Sequence, residues 1–273
     1  MESKPVETIE LKLEQVKTCP ICKEWTYGEL DKEETLVFPI TYLGIQLYFV
    51  SCKECTGIFL INRMTDEQTE KYYQGTYRKI TTPNDEMKDL DAWNEQQRAF
   101  HQFAFMKNKI SLRSKVLDVG CSRGFLLQIL REQFDLEVTG VDVGDKETMD
   151  LLGIENFGSL QDLGDRKFDL IILSHILEHQ NHPDFFLNDV MKYGHNGTFY
   201  FIDVPNPHSD PAALLLHHPI GFTQTSMTRF LHNADLELRD FLRYDWTHTP
   251  LQRSIMYWTR KSPYWGGTDH YLS

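Results

Sequence analysis

Two residue patterns in this sequence are suited to chemistry. The first is Val116-Leu117-Asp118-Val119-Gly120-Cys121-Ser122-Arg123-Gly124-Phe125. Glycines at Gly120 and Gly124 let the backbone turn tightly and approach a ligand. Their Gly-x-x-x-Gly spacing departs from the Gly-x-Gly-x-x-Gly of dinucleotide sites. Asp118 stands immediately before the loop, where a carboxylate would repel a pyrophosphate and suits a ligand carrying an ammonium group. About 20 residues past the loop, an acid at the end of the next strand accepts hydrogen bonds from ribose hydroxyls, and Asp142 holds that place. The second pattern is Cys19-Pro20-Ile21-Cys22 with Cys52-Lys53-Glu54-Cys55. Each C-x2-C knuckle offers two thiolates, and two knuckles complete a tetrahedral four-sulfur site.

The elements that must position these groups are legible in the periodicity. Residues 1–65 hold the cysteine pairs and β-rich runs (Leu36–Phe38, Ile45–Val50, Ile58–Ile61). Residues 66–108 turn helical: Leu90, Trp93, Phe100, Phe103 and Ala104 recur at helical spacing, and Thr81–Asp85 reads as a turn and helix start. This segment is expected to be a helical connector that packs those apolar residues on the next domain. From 109 to 273 short apolar strands alternate with helices. Strands are expected at Lys115–Val119, Val138–Val143, Phe168–Leu173 and Thr198–Val204. Helices are expected at Phe125–Phe134, Lys146–Leu152, from Pro183 to Gly194, and around Ser226–Asn233. Two last strands fall at Leu236–Leu242 and Ser254–Thr259. Alternation of this kind implies parallel strands covered on both faces.

The ordered segments VLDVGCSRGFLL, VTGVDV and FDLIILSHILEH resemble the motifs of class I methyltransferases that use S-adenosyl-methionine (SAM), over roughly residues 110–260. The resemblance implies an α/β Rossmann-like fold with a seven-stranded, mostly parallel sheet ending in an antiparallel pair. It places Asp118, Gly120, Cys121 and Gly124 around the methionyl end of SAM. Asp142 and Val143 fall at the ribose, Ser159 and Leu160 at the adenine, and Ser174 and His175 along the cofactor. Ser122 replaces a glycine common in the family, a mild departure that serine tolerates where its backbone angles are ordinary.

Zinc is the favoured occupant of Cys19, Cys22, Cys52 and Cys55; a single iron fits similar spacing, but no glycine follows either knuckle. Four thiolates leave no open coordination position, so the metal is expected to be structural. The segment CKECTGIFLINRMTDEQTEKYYQGTYR resembles a methyltransferase subgroup with an N-terminal zinc module that includes sugar C-methyltransferases. In that resemblance Tyr73 and Tyr77 approach the mouth of the active site; as core aromatics they would instead pack inward.

Methyl transfer from a sulfonium is an in-line displacement, and a base is needed only where the nucleophile starts protonated. Histidine is the natural candidate near neutral pH. The stretch Val204-Pro205-Asn206-Pro207 to His217-His218-Pro219-Ile220-Gly221-Phe222-Thr223 resembles a sugar C-methyltransferase stretch in which His218 matches the base and His217 replaces a glutamate. His179 is a further catalytic candidate. Glu178 and His179 are read as the start of the following helix, with Glu favoured by the macrodipole, and not as a catalytic metal site. Cys121 is expected to be a small loop residue.

Composition bounds the partners. A net charge of −12 disfavours nucleic acid, although Arg243, Arg253, Arg260 and Lys261 would form a basic patch if they gathered. No apolar run reaches bilayer length and the polar N-terminus lacks a signal-peptide stretch, so a cytoplasmic location is expected. Five cysteines without such a signal argue against a disulfide framework. The expected function is methylation of a small molecule, such as a nucleotide-linked sugar or related metabolite. The alternatives are an RNA or protein methyltransferase that uses the ribbon for recognition, and a non-catalytic binding module. Loop spacing and Asp118 disfavour a nicotinamide dehydrogenase. An aromatic tail, Tyr264-Trp265 to His270-Tyr271, would cover a pocket or meet a partner.

Overall fold

The computed structural model describes residues 11–26, 37–42, 44–144, 146–210, 213–244 and 253–261. Leu36 and the aromatic tail lie outside the described residues. The N-terminal part carries β1 (Leu13–Gln15), β2 (Val37–Tyr42), β3 (Ile45–Ser51), β4 (Ile58–Leu60) and β5 (Asn62–Met64). β2, β3 and β4 form an antiparallel meander, and β1 pairs with β5. Gly44 makes the β2–β3 turn possible at φ +78°, a conformation that costs glycine little.

Helices follow: α1 (Asp66–Lys71), a π-helical turn at Tyr72–Thr76, α2 (Tyr77–Thr81) and the long α3 (Asp85–Met106). Asn84 caps α3 by accepting from the Met87 N–H at 2.9 Å. The face that α3 buries is not the expected one. Ala99, Gln102, Phe105 and Met106 point inward. Leu90, Trp93 and Phe100 are exposed, at 55%, 47% and 57%. Only Phe103 of the expected set packs against a core, beside Phe134.

The remaining chain builds β6 (Lys115–Val119), α4 (Phe125–Phe134), β7 (Glu137–Val141), α5 (Lys146–Leu151), β8 (Glu155–Phe157), β9 (Leu170–Ser174), α6 (Pro183–Met191), β10 (Phe199–Pro205), β11 (Ile220–Gly221), α7 (Gln224–Asn233), β12 (Leu236–Tyr244) and β13 (Ser254–Lys261). Seven of the strands make one sheet in the order β12-β13-β10-β9-β6-β7-β8. β8, β7, β6, β9 and β10 are parallel, while β13 runs antiparallel to both β10 and β12. Strands buried on both faces read as continuous apolar runs, as in Leu170–Leu173, because helices cover each side. This is the α/β Rossmann-like architecture expected from the sequence.

The N-terminal sheet does not stand apart from the large one. β11 pairs with β4 (Ile220 opposite Phe59), and the Leu60 N–H donates to the Pro219 carbonyl at 2.9 Å. Buried cysteines of the ribbon share an apolar cluster with Leu173, Ile202, Phe222 and Phe230. Gly57 sits so close to this junction that a Cβ there would lie 2.3 Å from Ile21 Cδ1 and 3.0 Å from Ser226 Cβ. Arg63, only 6% exposed, donates to the Asn181 carbonyl at 2.5 Å, and the Asn181 amide returns a bond to the Met64 carbonyl at 3.0 Å. The loops after β9 and β10 are therefore both tied to the N-terminal module.

Candidate active site

The carboxyl ends of β6, β7, β9 and β10 converge on one cleft, where ligands bind in open α/β sheets. Asp118, next to last on its apolar strand, is buried, and among the described residues its Oδ1 has no hydrogen-bond partner. Burial, with the charge of Asp142 added, pushes its carboxyl up to about 8. Gly120 and Gly124 take φ of +79° and +73°. At that φ an L side chain is strained, and a Cβ at Gly124 would also meet Met149 Sδ at 2.2 Å and push the methionine aside. α4 starts immediately after Gly124 and directs its free N–H groups toward the loop.

Ser122 is not ordinary: its φ is +47°, the left-handed region. The loop makes use of this residue nonetheless. Its N–H donates to Asp142 Oδ2 at 2.9 Å and its hydroxyl to Glu95 Oε1 at 2.9 Å. Asp142 also accepts from the Gly144 N–H at 2.7 Å, which fixes the carboxylate at the end of β7.

α3 forms the roof of this cleft. Arg123 pairs with Glu95 at 2.9 Å and with Asp91 at 3.1 Å. Gln102, 2% exposed, donates to Ser174 Oγ and to Asp203 Oδ2, each at 2.7 Å. A cavity of about 40 Å³ lies between, lined by Asp118, Gly120, Cys121 and Ser174 from the sheet side and by Glu95, Arg98 and Gln102 from α3. The Cys121 thiol packs against Gly140, and burial pushes it well above its ordinary range, as befits a packed loop residue and not a nucleophile.

The three candidate histidines come together. Ring centroids of His179 and His218 lie 4.5 Å apart, and those of His217 and His218 4.6 Å apart. Tyr72 stacks on His217 at 6.0 Å, and Tyr73 and Tyr77 pack edge-on to His179 and His217. Tyr73 and Tyr77 are half-buried and stand against the histidine group. Burial lowers His179 to about 4 and His217 to about 3, so both rings are neutral at pH 7. His175 sits at φ +52°, with Nε2 3.3 Å from Ser254 Oγ, and burial holds it well below its ordinary value. Glu178 and His179 do not start a long helix. They lie in a 3-10 turn (Leu177–His179), and α6 begins only at Pro183.

Other expected positions fall nearby or elsewhere. Ser159 caps the 3-10 turn Leu160–Leu163, its hydroxyl donating to Asp162 Oδ2 at 2.8 Å, beyond the end of β8. Leu160 packs on the core, while Val143 is 79% exposed. The basic residues do not gather: Arg243 pairs opposite Ile255 and Arg260 opposite Glu237, near opposite ends of the β12–β13 hairpin. No helix among the described residues is long and apolar enough to cross a membrane.

The four ribbon cysteines are buried and not bridged as disulfides. Cys19 and Cys55 Sγ lie 3.8 Å apart, Cys22 and Cys52 Sγ 3.7 Å apart. A tetrahedron with metal–sulfur bonds of about 2.3 Å has edges of about 3.8 Å, so the donor set fits a four-sulfur metal. Lys23 and Thr56, which follow the knuckles, take the left-handed φ of 63° and 62° that a glycine would favour.

Sequence reasoning did not find Glu95, Arg98 and Gln102 as lining residues, or Asp203 beneath them. Polar residues on α3 carry no apolar period, and only their position opposite the glycine loop marks them.

The sequence model of a family described as a methyltransferase domain matches residues 92–257, from within α3 to β13. No curated protein matches the chain. Among solved structures, the chain is similar to the 1,6-didemethyltoxoflavin-N1-methyltransferase of Burkholderia thailandensis, solved with 1,6-didemethyltoxoflavin and S-adenosylhomocysteine. The TM-score is 0.62 at 17% identity, covering 82% of this chain and 99% of that one. It is also similar to the plantazolicin methyltransferase in complex with a monoazolic desmethylPZN analogue and SAH, with a TM-score of 0.52 at 12% identity over 71% and 93% of the two chains. At these identities the likeness is one of fold.

Proposed function

Because the chain belongs to the methyltransferase-domain family, we propose that it transfers a methyl group from SAM to a small molecule, with nucleotide-linked sugars and related metabolites as the first acceptors to test. The observation that carries the cofactor reading is the buried Asp118 Oδ1, unpartnered among the described residues and beside a glycine loop whose Gly124 takes a φ that favours glycine. An ammonium group would satisfy that oxygen. The small-molecule reading has the company of the two similar structures, one holding 1,6-didemethyltoxoflavin and the other a monoazolic desmethylPZN analogue.

When bound, SAM supplies an electrophilic methyl on a sulfonium. In this reading Asp118 holds the methionyl ammonium, Gly120, Cys121 and Gly124 line the methionyl end, and Asp142 with Val143 meets the ribose. Ser159 and Leu160 flank the adenine, and Ser174 and His175 line the cofactor next to the acceptor side. His218 takes the acceptor proton, with His179 and His217 packed on it to orient the ring. Tyr73 and Tyr77 wall the same space and help exclude water, which strengthens every polar contact inside. Cys19, Cys22, Cys52 and Cys55 would hold a structural zinc, which through β4 and β11 would help set the position of the His217–His218 loop.

Calorimetric titration with SAM, S-adenosylhomocysteine and NADH tests this. Low-micromolar binding of the first two, lost in Asp142→Ala, is the expected result, followed by transfer of labelled methyl to a nucleotide sugar. Folded, metal-loaded protein that binds neither SAM species would overturn it.

A further inference from the structure

Glu178 presents a chemical problem that the cofactor reading leaves open. Its side chain is 2% exposed, and among the described residues neither carboxylate oxygen has a hydrogen-bond partner. Around it stand ring nitrogens: His175 Nδ1 at 3.4 Å and His179 Nε2 at 3.9 Å from Oε1. A buried carboxylate without donors is costly unless a proton or a cation neutralises it.

The tautomer of His179 decides which kind of partner the site offers. Its Nδ1 lies 2.8 Å from the His217 carbonyl, which can only accept, so Nδ1 carries the hydrogen. The Tyr73 hydroxyl, 2.6 Å from Nδ1 and 3.2 Å from the same carbonyl, reinforces the arrangement by donating to the carbonyl. Nε2 is then a bare lone pair turned toward Glu178. A histidine whose outer N–H is fixed by a carbonyl while its inner nitrogen faces a carboxylate has the outer support typical of metal ligands. His218 completes the set: donor atoms of Glu178, His179 and His218 all lie within 4.8 Å of one another. Tetrahedral nitrogen and oxygen ligands at about 2.1 Å stand about 3.4 Å apart, so the 3.9 Å pair needs to close by about half an ångström.

We propose that Glu178, His179 and His218 bind a divalent transition-metal ion of the zinc class, separate from the four-cysteine ribbon. Two imidazoles and one carboxylate leave coordination positions open, the pattern of sites that bind substrate and not of sites that only staple a fold. The ligands come from two loops, after β9 and before β11, and both loops are tied to the N-terminal module by Arg63–Asn181 and by the β4–β11 pairing. That the open positions take an oxygen or nitrogen of the methyl acceptor rests on the methyltransferase reading; the ion site itself does not. With the ion bound, His218 serves as a ligand, and a coordinated acceptor hydroxyl loses its proton to solvent more readily than a free one.

The test uses the full chain purified with zinc. Elemental analysis is expected to give two zinc ions per wild-type chain and one in Glu178→Gln. Cobalt(II) added to chain carrying only its ribbon zinc should give weak d–d bands without thiolate charge transfer, lost in Glu178→Gln and in His218→Ala. Tyr73→Phe should weaken cobalt binding about tenfold, because it loosens the hydrogen-bonded support of His179. Thermal melts confirm that each variant is folded. One zinc per wild-type chain with no cobalt band, or a second ion retained in folded Glu178→Gln, would overturn the site. SAM titration in parallel separates the two readings. Chain that binds SAM but no second ion loses only the metal site, and chain that binds the ion but no SAM loses only the methyltransferase reading.

Discussion

Ser122 donates its backbone N–H to Asp142 at 2.9 Å from a left-handed conformation, at φ +47°. The loop thus brings the ends of β6 and β7 together through a residue that bears the cost of its own Cβ. Ser122→Gly should be more stable than Ser122→Ala by about 1 kcal/mol, because both lose the hydroxyl bond to Glu95 and only glycine is released from the strain. Chemical denaturation measures the difference. Equal midpoints would mean that the loop carries no such strain.

With Asp118 proposed to hold the ammonium group of SAM, cofactor affinity is expected to depend on pH. The Asp118 carboxyl, held up to about 8 by burial, is mostly protonated at pH 7. A bound ammonium favours the ionised form, so SAM binding should release a proton, and affinity should rise up to about tenfold from pH 6 to pH 7. Calorimetry in buffers of different ionisation enthalpy reads the proton directly. In the ligand-free protein the raised value acts on stability with the opposite sense. The contribution is full below the unfolded value near 3.9 and is lost as pH rises through about 8. Asp118→Asn should flatten both profiles.

Gly57→Ala should separate the ribbon from α7. The new Cβ would overlap Ile21 Cδ1 at 2.3 Å, and overpacking of this kind costs about 1–3 kcal/mol. Hydrogen exchange should rise at residues 218–222 and stay unchanged in β7. A uniform rise over the whole sheet would instead indicate global loss of stability.

Metal removal from the ribbon should affect turnover before cofactor binding. The cysteines share a core with Phe222 and lie next to the strand that fixes His217 and His218, whereas Asp118 and Asp142 sit on β6 and β7. Cys52→Ser should melt about 10 °C lower, the loss expected for a ligand bound at about 1,000 times its Kd in a chain of this size. It should keep SAM affinity within a few-fold. Loss of both together would place the ribbon in the cofactor cleft instead.

The glycine loop, its two acids and the parallel sheet were legible because each depends on a local signal: an apolar run, a glycine, an acid at its end. The face of α3 was not. Leu90, Trp93 and Phe100 keep helical spacing but are exposed, while Gln102 is buried because Ser174 and Asp203 accept its hydrogens from positions 72 and 101 residues away in the sequence. A polar residue buried by distant partners leaves no trace in periodicity. For the same reason the two-residue β11 could not be read, since its pairing with β4 is set by a strand far upstream. The histidines were visible as residue types, but the tyrosine wall that joins them is a product of the π-helical turn at Tyr72–Thr76.

The β4–β11 pairing also orders the events of synthesis. The ribbon is made before the large sheet, and β4 remains an open edge until Ile220 and Gly221 appear, after most of the large sheet has been made. Unpaired edges invite wrong partners during that interval. A chain truncated before residue 220 would therefore keep its cysteines and leave the edge of β4 open to wrong partners.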